Sequence, residues 1–131
     1  RPKVKEADFH GKAAYLEQRE REQQAAYLCT VVMTDNVDQN GVARYPVGSC
    51  PVLDPDSNEV IVDSLGRRSY LTSIAFGPSI GKNIGLVYLP NDYAVEGREL
   101  VMEYFDEPFP IRVEAVGCKA LYDPANELPK T

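Results

Sequence analysis

A chain of 131 residues is long enough for one domain with its own core, and a formal net charge of −6 excludes a general nucleic-acid binder or a protein that docks on anionic lipid. The composition, 44% hydrophobic and 26% charged, is that of a globular chain and excludes a disordered one. No apolar run reaches the length of about 18 residues that a membrane helix needs, and the start has no apolar segment of a signal peptide. Because the chain opens on Arg1-Pro2-Lys3 without Met, it is expected to begin in mid-protein.

Residues 9–24 predict a helix. Ala, Leu, Glu, Gln and Arg dominate, Asp8 is the expected N-cap, and Glu17 precedes Arg21 by one turn. Its charged face predicts a surface position, packed on the rest of the domain. Residues 25–33 are β-rich and predict the first strand. Residues 34–41 form a polar loop whose oxygens invite a calcium reading. The EF-hand pattern fails, because position 6 counted from Asp35 is Asn40 and position 12 is Pro46. A solvated loop is expected there.

Pro46 and Pro51 demote residues 45–54 to an edge or a short strand. Asp54-Pro55-Asp56-Ser57-Asn58 is a turn, and 59–63 is a short strand. Residues 66–90 then form the hairpin around which the chain is organised. Residues 69–76 are rich in β-formers, 84–89 are nearly all apolar, and Gly77, Pro78, Ser79 and Gly81 supply the turn. Gly77-Pro78-Ser79-Ile80-Gly81-Lys82 imitates a phosphate-binding loop but lacks its spacing, and Asn83 stands where Ser or Thr is required. Residues 99–105 alternate polar and apolar, Asp106-Glu107-Pro108 turns, and 109–116 alternates again to close a second hairpin. Alternation leaves open whether Leu86, Tyr88, Met102 and Tyr104 form core or interface. The tail from Gly117 is mostly irregular.

The fold class that follows is mainly β: a small Greek-key β-barrel of about six strands preceded by one N-terminal helix. The expected organisation is a leading helix over 1–25, packed on a barrel over 26–131.

The three cysteines, Cys29, Cys50 and Cys118, fit neither a disulfide framework nor zinc spacing, so free thiols and the cytoplasm are expected. His10 is the only histidine and stands far from them in sequence, which leaves no nucleophile–base pair and no catalytic residue in this chain. No metal site is expected. Lys82 can meet an anion or solvent, and Arg67 and Arg68 can hold a carboxylate or simply flank a strand. Arg112, between Ile111 and Val113, is expected to face outward.

Four stretches, in order, resemble the glycine cleavage T-protein (aminomethyltransferase) family. Asp8-Phe9-His10-Gly11-Lys12-Ala13-Ala14-Tyr15-Leu16 resembles its helix motif. Pro46-Val47-Gly48-Ser49-Cys50-Pro51-Val52 resembles its G-x-P-V strand start. Residues 66–90 resemble its hairpin signature, and Ala120-Leu121-Tyr122-Asp123-Pro124 is similar to the ending of relatives that demethylate sarcosine, dimethylglycine or methoxylated aromatics. Departures fall at Thr72-Ser73-Ile74, where the family has glycine third, and at Gly77-Pro78-Ser79.

The resemblance implies the C-terminal barrel of a tetrahydrofolate-dependent aminomethyltransferase or demethylase. It also implies that catalytic groups lie in N-terminal folate-binding domains of the same polypeptide, with a flavin domain or partner subunit possible. This barrel would close the folate and substrate cavity without being catalytic alone. Tyr122, Lys82 and Arg67 are the candidate cofactor contacts, with Tyr122 otherwise an anchor for the tail. The competing expectation is a free-standing barrel that binds a small ligand or a protein without chemistry. With no Trp and no basic–aromatic stripe, single-stranded nucleic acid is not an expected partner.

Overall fold

The computed structural model describes residues 5–20, 24–117 and 119–128. Cys118 and residues 21–23 of the expected helix fall outside them, and Gln24, its expected last residue, is not helical. The helix, α1, runs Lys12–Glu20 and starts later than its composition implies. Gly11 takes φ +80, a conformation open to glycine, and its carbonyl accepts the first helical bond from the Tyr15 N–H at 2.9 Å. The cap position therefore belongs to Gly11 and not to Asp8. No residue of α1 is buried.

Six strands follow: β1 (Tyr27–Met33), β2 (Val52–Leu53), β3 (Leu71–Gly77), β4 (Lys82–Leu89), β5 (Glu99–Tyr104) and β6 (Glu107–Val116). They pair antiparallel in the order β2-β5-β6-β1-β4-β3. β1 lies between two strands that come much later in the chain, which is the winding of a Greek key. The two ends of the sheet are joined as well. The Ser49 N–H donates to the Leu71 carbonyl at 2.7 Å, the Leu71 N–H to the Cys50 carbonyl at 2.8 Å, and the Val52 N–H to the Ser69 carbonyl at 3.0 Å. These bonds curl the sheet into a barrel and pair edges that would otherwise be open.

The core follows from alternation. Leu71, Val87, Leu89, Met102, Ile111 and Val113 point inward and are fully buried. Met102 is therefore core, whereas Tyr88 and Leu86 face outward and Tyr104 is half-buried. Arg112 faces outward as expected and binds Glu114, its neighbour on the same face. Cys29 and Cys50 are free, buried thiols.

Three expectations change. Residues 59–63 contribute only the isolated bridges of Val60 and Val62, because the turn at 54–58 and the next turn at 63–67 leave no room for a ladder. The second hairpin turns at Phe105-Asp106, with φ of +52 and +59, one residue earlier than expected. Pro108 and Pro110 therefore lie inside β6. They are tolerated because the side of β6 to which the Pro110 carbonyl points meets only Thr34, just past the end of β1, so no ladder N–H is missed. The loop after β1 is also not simply solvated. The Asp38 carboxylate is buried and accepts the N–H groups of Asn40 and Val42 at 2.8 and 2.9 Å, and the Arg44 Nε at 2.6 Å.

Gly85 is required by close packing. A Cβ there would lie 2.9 Å from Leu71 Cδ2 and 3.3 Å from the Ser73 carbonyl oxygen. Leu71 is fully buried and cannot swing away. Gly85→Ala is therefore expected to destabilise the chain by about 1–3 kcal/mol in urea titration. An unchanged midpoint would show that β3 yields at this point.

Candidate functional site

A cleft of about 880 Å³ opens on the outer face of the β3–β4 hairpin, and Gln18 of α1 and Gln24 form its far wall. The barrel wall follows from register. Leu71 opposes Val87 and both point inward, so the flanking Tyr70 and Tyr88 point out together, half exposed at 50% and 54%. The Ser69 hydroxyl donates to the Tyr88 carbonyl at 2.8 Å and pins this corner. At Thr72 the pairing slips by one residue, and its hydroxyl donates to the Leu86 carbonyl at 3.2 Å. The bulge turns Thr72 into the same cleft.

The charged rim is built by a turn. Asp63 Oδ1 accepts the N–H groups of Leu65 and Arg67 at 2.9 and 3.0 Å, while Oδ2 holds Arg67 Nε at 2.7 Å. Gly66 completes the turn at φ +76. The Arg67 N–H bond, followed by those from its side chain and Leu65, holds the Asp63 carboxyl below its ordinary value against the cost of burial. Arg67 is thus oriented and largely neutralised. Arg68 is exposed, lines the same cleft, and has no ion-pair partner among the described residues. The cleft offers two tyrosine rings, the hydroxyls of Ser69 and Thr72, amides, and in Arg68 a guanidinium with no ion-pair partner among the described residues. By its chemistry, that set is suited to a flat anionic molecule.

No Cys or His is among the described residues that line the cleft. Burial pushes the Cys29 thiol up to about 11 and raises Cys50 as well, so neither is a nucleophile at neutral pH. Among the described residues no group of His, Cys, Asp or Glu converges as metal ligands. No helix of the described residues is long and apolar enough to cross a membrane.

Of the sequence candidates, Arg67 lies in the cleft. Lys82 begins β4, at the opposite end from Tyr88 and about 20 Å along the strand. Tyr122 lies in the tail, 56% exposed. The structure does not bring the three together. Sequence reading left Tyr88 undecided and did not single out Tyr70. The signal was present as alternation in Ser69-Tyr70-Leu71 and Val87-Tyr88-Leu89, but the partner strand was needed to read it.

The chain matches the family model described as "Glycine cleavage T-protein C-terminal barrel domain" over residues 46–119. No curated protein matches it in sequence. Among solved structures it is similar to the glycine cleavage system aminomethyltransferase T from Bartonella henselae, with a TM-score of 0.59 and 20% identity. The match covers 82% of this chain and 25% of that one. At this identity the likeness shows the fold alone.

Asp38, Asp54 and Asp63 share one chemistry. Their carboxyls are held below the ordinary 3.8, chiefly by the N–H groups of Val42, Ser57 and Arg67 respectively. A depressed folded-state pKa contributes stability that is complete above the unfolded value and is lost as pH falls through the folded one. Thermal midpoints should therefore be flat from about pH 5 to 7 and drop steeply below about pH 4. Asp63→Asn should flatten the acid limb, and an acid limb identical to the parent's would remove Asp63 from this account.

Proposed function

This chain belongs to the glycine cleavage T-protein C-terminal barrel family, and from that premise we propose that it is the closing barrel of a larger folate-dependent one-carbon transferase. The observation that carries the reading is the family match over 46–119, which contains Arg67, Arg68, Tyr70 and Tyr88. The parent polypeptide binds tetrahydrofolate in N-terminal domains that also carry the catalytic groups. Residues 26–131 cover that cavity, and the leading segment before them contributes Gln18, Gln24 and Ala25 to the cleft. The barrel supplies no reacting group. Its cleft steadies the anionic, aromatic part of the carrier or substrate, with Tyr70 and Tyr88 against the ring and Arg67 and Arg68 at the carboxylate.

Lys82 and Tyr122 would touch the carrier only where it extends beyond the cleft. Within the family the chain falls nearer the demethylases than a true glycine cleavage component. Leu121-Tyr122-Asp123-Pro124 motivates that choice. In the structure Asp123 turns the tail, its carboxylate accepting the Glu127 and Leu128 N–H groups at 2.8 and 3.1 Å.

Isothermal titration of tetrahydrofolate into the full-length polypeptide tests the reading. Binding is expected there and not to the 131-residue chain alone. Arg68→Ala should weaken it about tenfold or more, the scale of one lost charge-assisted hydrogen bond. The variant's stability should not change, since Arg68 has no ion-pair partner among the described residues. A native polypeptide no longer than this chain, or a longer one blind to tetrahydrofolate, would overturn the proposal and leave a free-standing binding barrel.

A further inference from the structure

Three aromatic rings meet around one hollow at the β5–β6 tip. Tyr104, Phe105 and Phe109, with Arg44 and Glu107, line a space of about 260 Å³. The rings are inclined to one another and not stacked. Phe105 meets Tyr104 at 74° with centroids 4.6 Å apart, and Phe109 lies at 59° and 6.5 Å from Tyr104. Phe109 is 2% exposed and makes the floor, whereas Phe105 is 83% exposed and makes an outer wall. The backbone holds that wall in place against local preference. Tyr104 pairs directly with Glu107, so the turn is only Phe105-Asp106, both at positive φ. Such a turn suits Asn-Gly, and a bulky side chain in it is an outlier. Residues kept in such conformations cluster at ligand clamps.

The charge beside the rings is negative. Glu107 lines the hollow, and its carboxylate accepts the neutral Gln39 amide at 3.4 Å. Asp106 is exposed in the turn, and neither it nor Glu107 has an ion-pair partner among the described residues. Arg44 is committed elsewhere: its Nε donates to the buried Asp38 carboxylate at 2.6 Å, which cancels its charge. Ring faces carry negative potential and attract a cation, more strongly where water is excluded. They offer no acceptor that an N–H could use in place of water. A primary ammonium or a guanidinium would therefore lose hydrogen bonds here, whereas a quaternary ammonium has none to lose.

We propose that this hollow is a binding site for a quaternary ammonium group, with Tyr104 and Phe105 against its methyl groups and Glu107 balancing its charge. The site is separate from the tyrosine cleft. Met33 at the end of β1 pairs with Ile111, and Val32 pairs with Ile84, so the β5–β6 tip stands at the end of the barrel where β4 begins. Tyr88 pairs with Leu28, at the other end of β1.

Choline titrated into the 131-residue chain at constant ionic strength tests this, read from the ring-proton NMR signals of Tyr104, Phe105 and Phe109. Saturable shifts are expected with a Kd of about 1 mM, as befits so small a ligand. Neohexyl alcohol has the shape of choline with carbon in place of the charged nitrogen, and should bind about tenfold more weakly. Phe105→Leu keeps an apolar side chain on the turn but removes the ring, and Glu107→Gln removes the charge. Each should weaken choline about threefold or more, with cooperative thermal unfolding retained to show that the barrel is intact. Retention of the chain on phosphatidylcholine vesicles would support the site and assign a lipid headgroup as the source. Choline binding without retention would support it and assign a free ligand. Equal binding of choline and neohexyl alcohol, shifts that do not saturate, or folded variants that bind choline as the parent does would each overturn the proposal. Any of these three results leaves the closing-barrel reading intact, since that reading is tested with tetrahydrofolate.

Discussion

Main-chain bonds between residues 49–52 and 69–71 turn a six-stranded sheet into a closed wall. Without them β2 and β3 would present open edges, and the short β2 could not hold its place with two residues alone. The closure also sets the inside and the outside. Leu71 both accepts the Ser49 N–H and donates to the Cys50 carbonyl, which fixes its side chain in the core. Every outward residue on the hairpin, Tyr70 and Tyr88 among them, takes its direction from that one register.

Closing so small a barrel demands sharp turns, and aspartates build them. Asp38, Asp54 and Asp63 each accept two backbone N–H groups within the next few residues. Each then uses its second oxygen on a side chain: the guanidinium of Arg44, the hydroxyl of Tyr93 or the guanidinium of Arg67. Buried or half-buried carboxylates are thereby hydrogen-bonded through both oxygens. The turn built by Asp63 also presents Arg67 to the cleft. Stability and the charged rim of the candidate site thus share one residue.

The barrel holds its oddities on the outside. Its interior is ordinary aliphatic and aromatic packing with buried thiols, and offers no reacting constellation among the described residues. The departures are a pair of exposed tyrosines beside an arginine that has no ion-pair partner among the described residues, and an exposed phenylalanine at positive φ elsewhere.

Much of this was legible in the chain. Period-two alternation identified β5 and β6, β-rich composition and an apolar run identified the strands of the 66–90 hairpin, the prolines at 46 and 51 announced a short strand, and Gly77 to Gly81 announced a turn. The motifs around the hairpin carried the family. Local signals misplaced what depends on single dihedral angles: the helix start at Gly11, and the turn at Phe105-Asp106 rather than over Asp106-Glu107-Pro108. They also missed what depends on distant partners. Asp38 reads as solvated until Arg44 folds over it, and Tyr70 reads as one more β-former until its neighbour across the strand is known. The sequence by itself determined which residues want water, which want the core and where the chain must bend, because those are properties of side chains and their nearest neighbours. Only the tertiary structure decided which strand edges close on each other and which outward side chains share a surface, because register is settled between residues far apart in the chain.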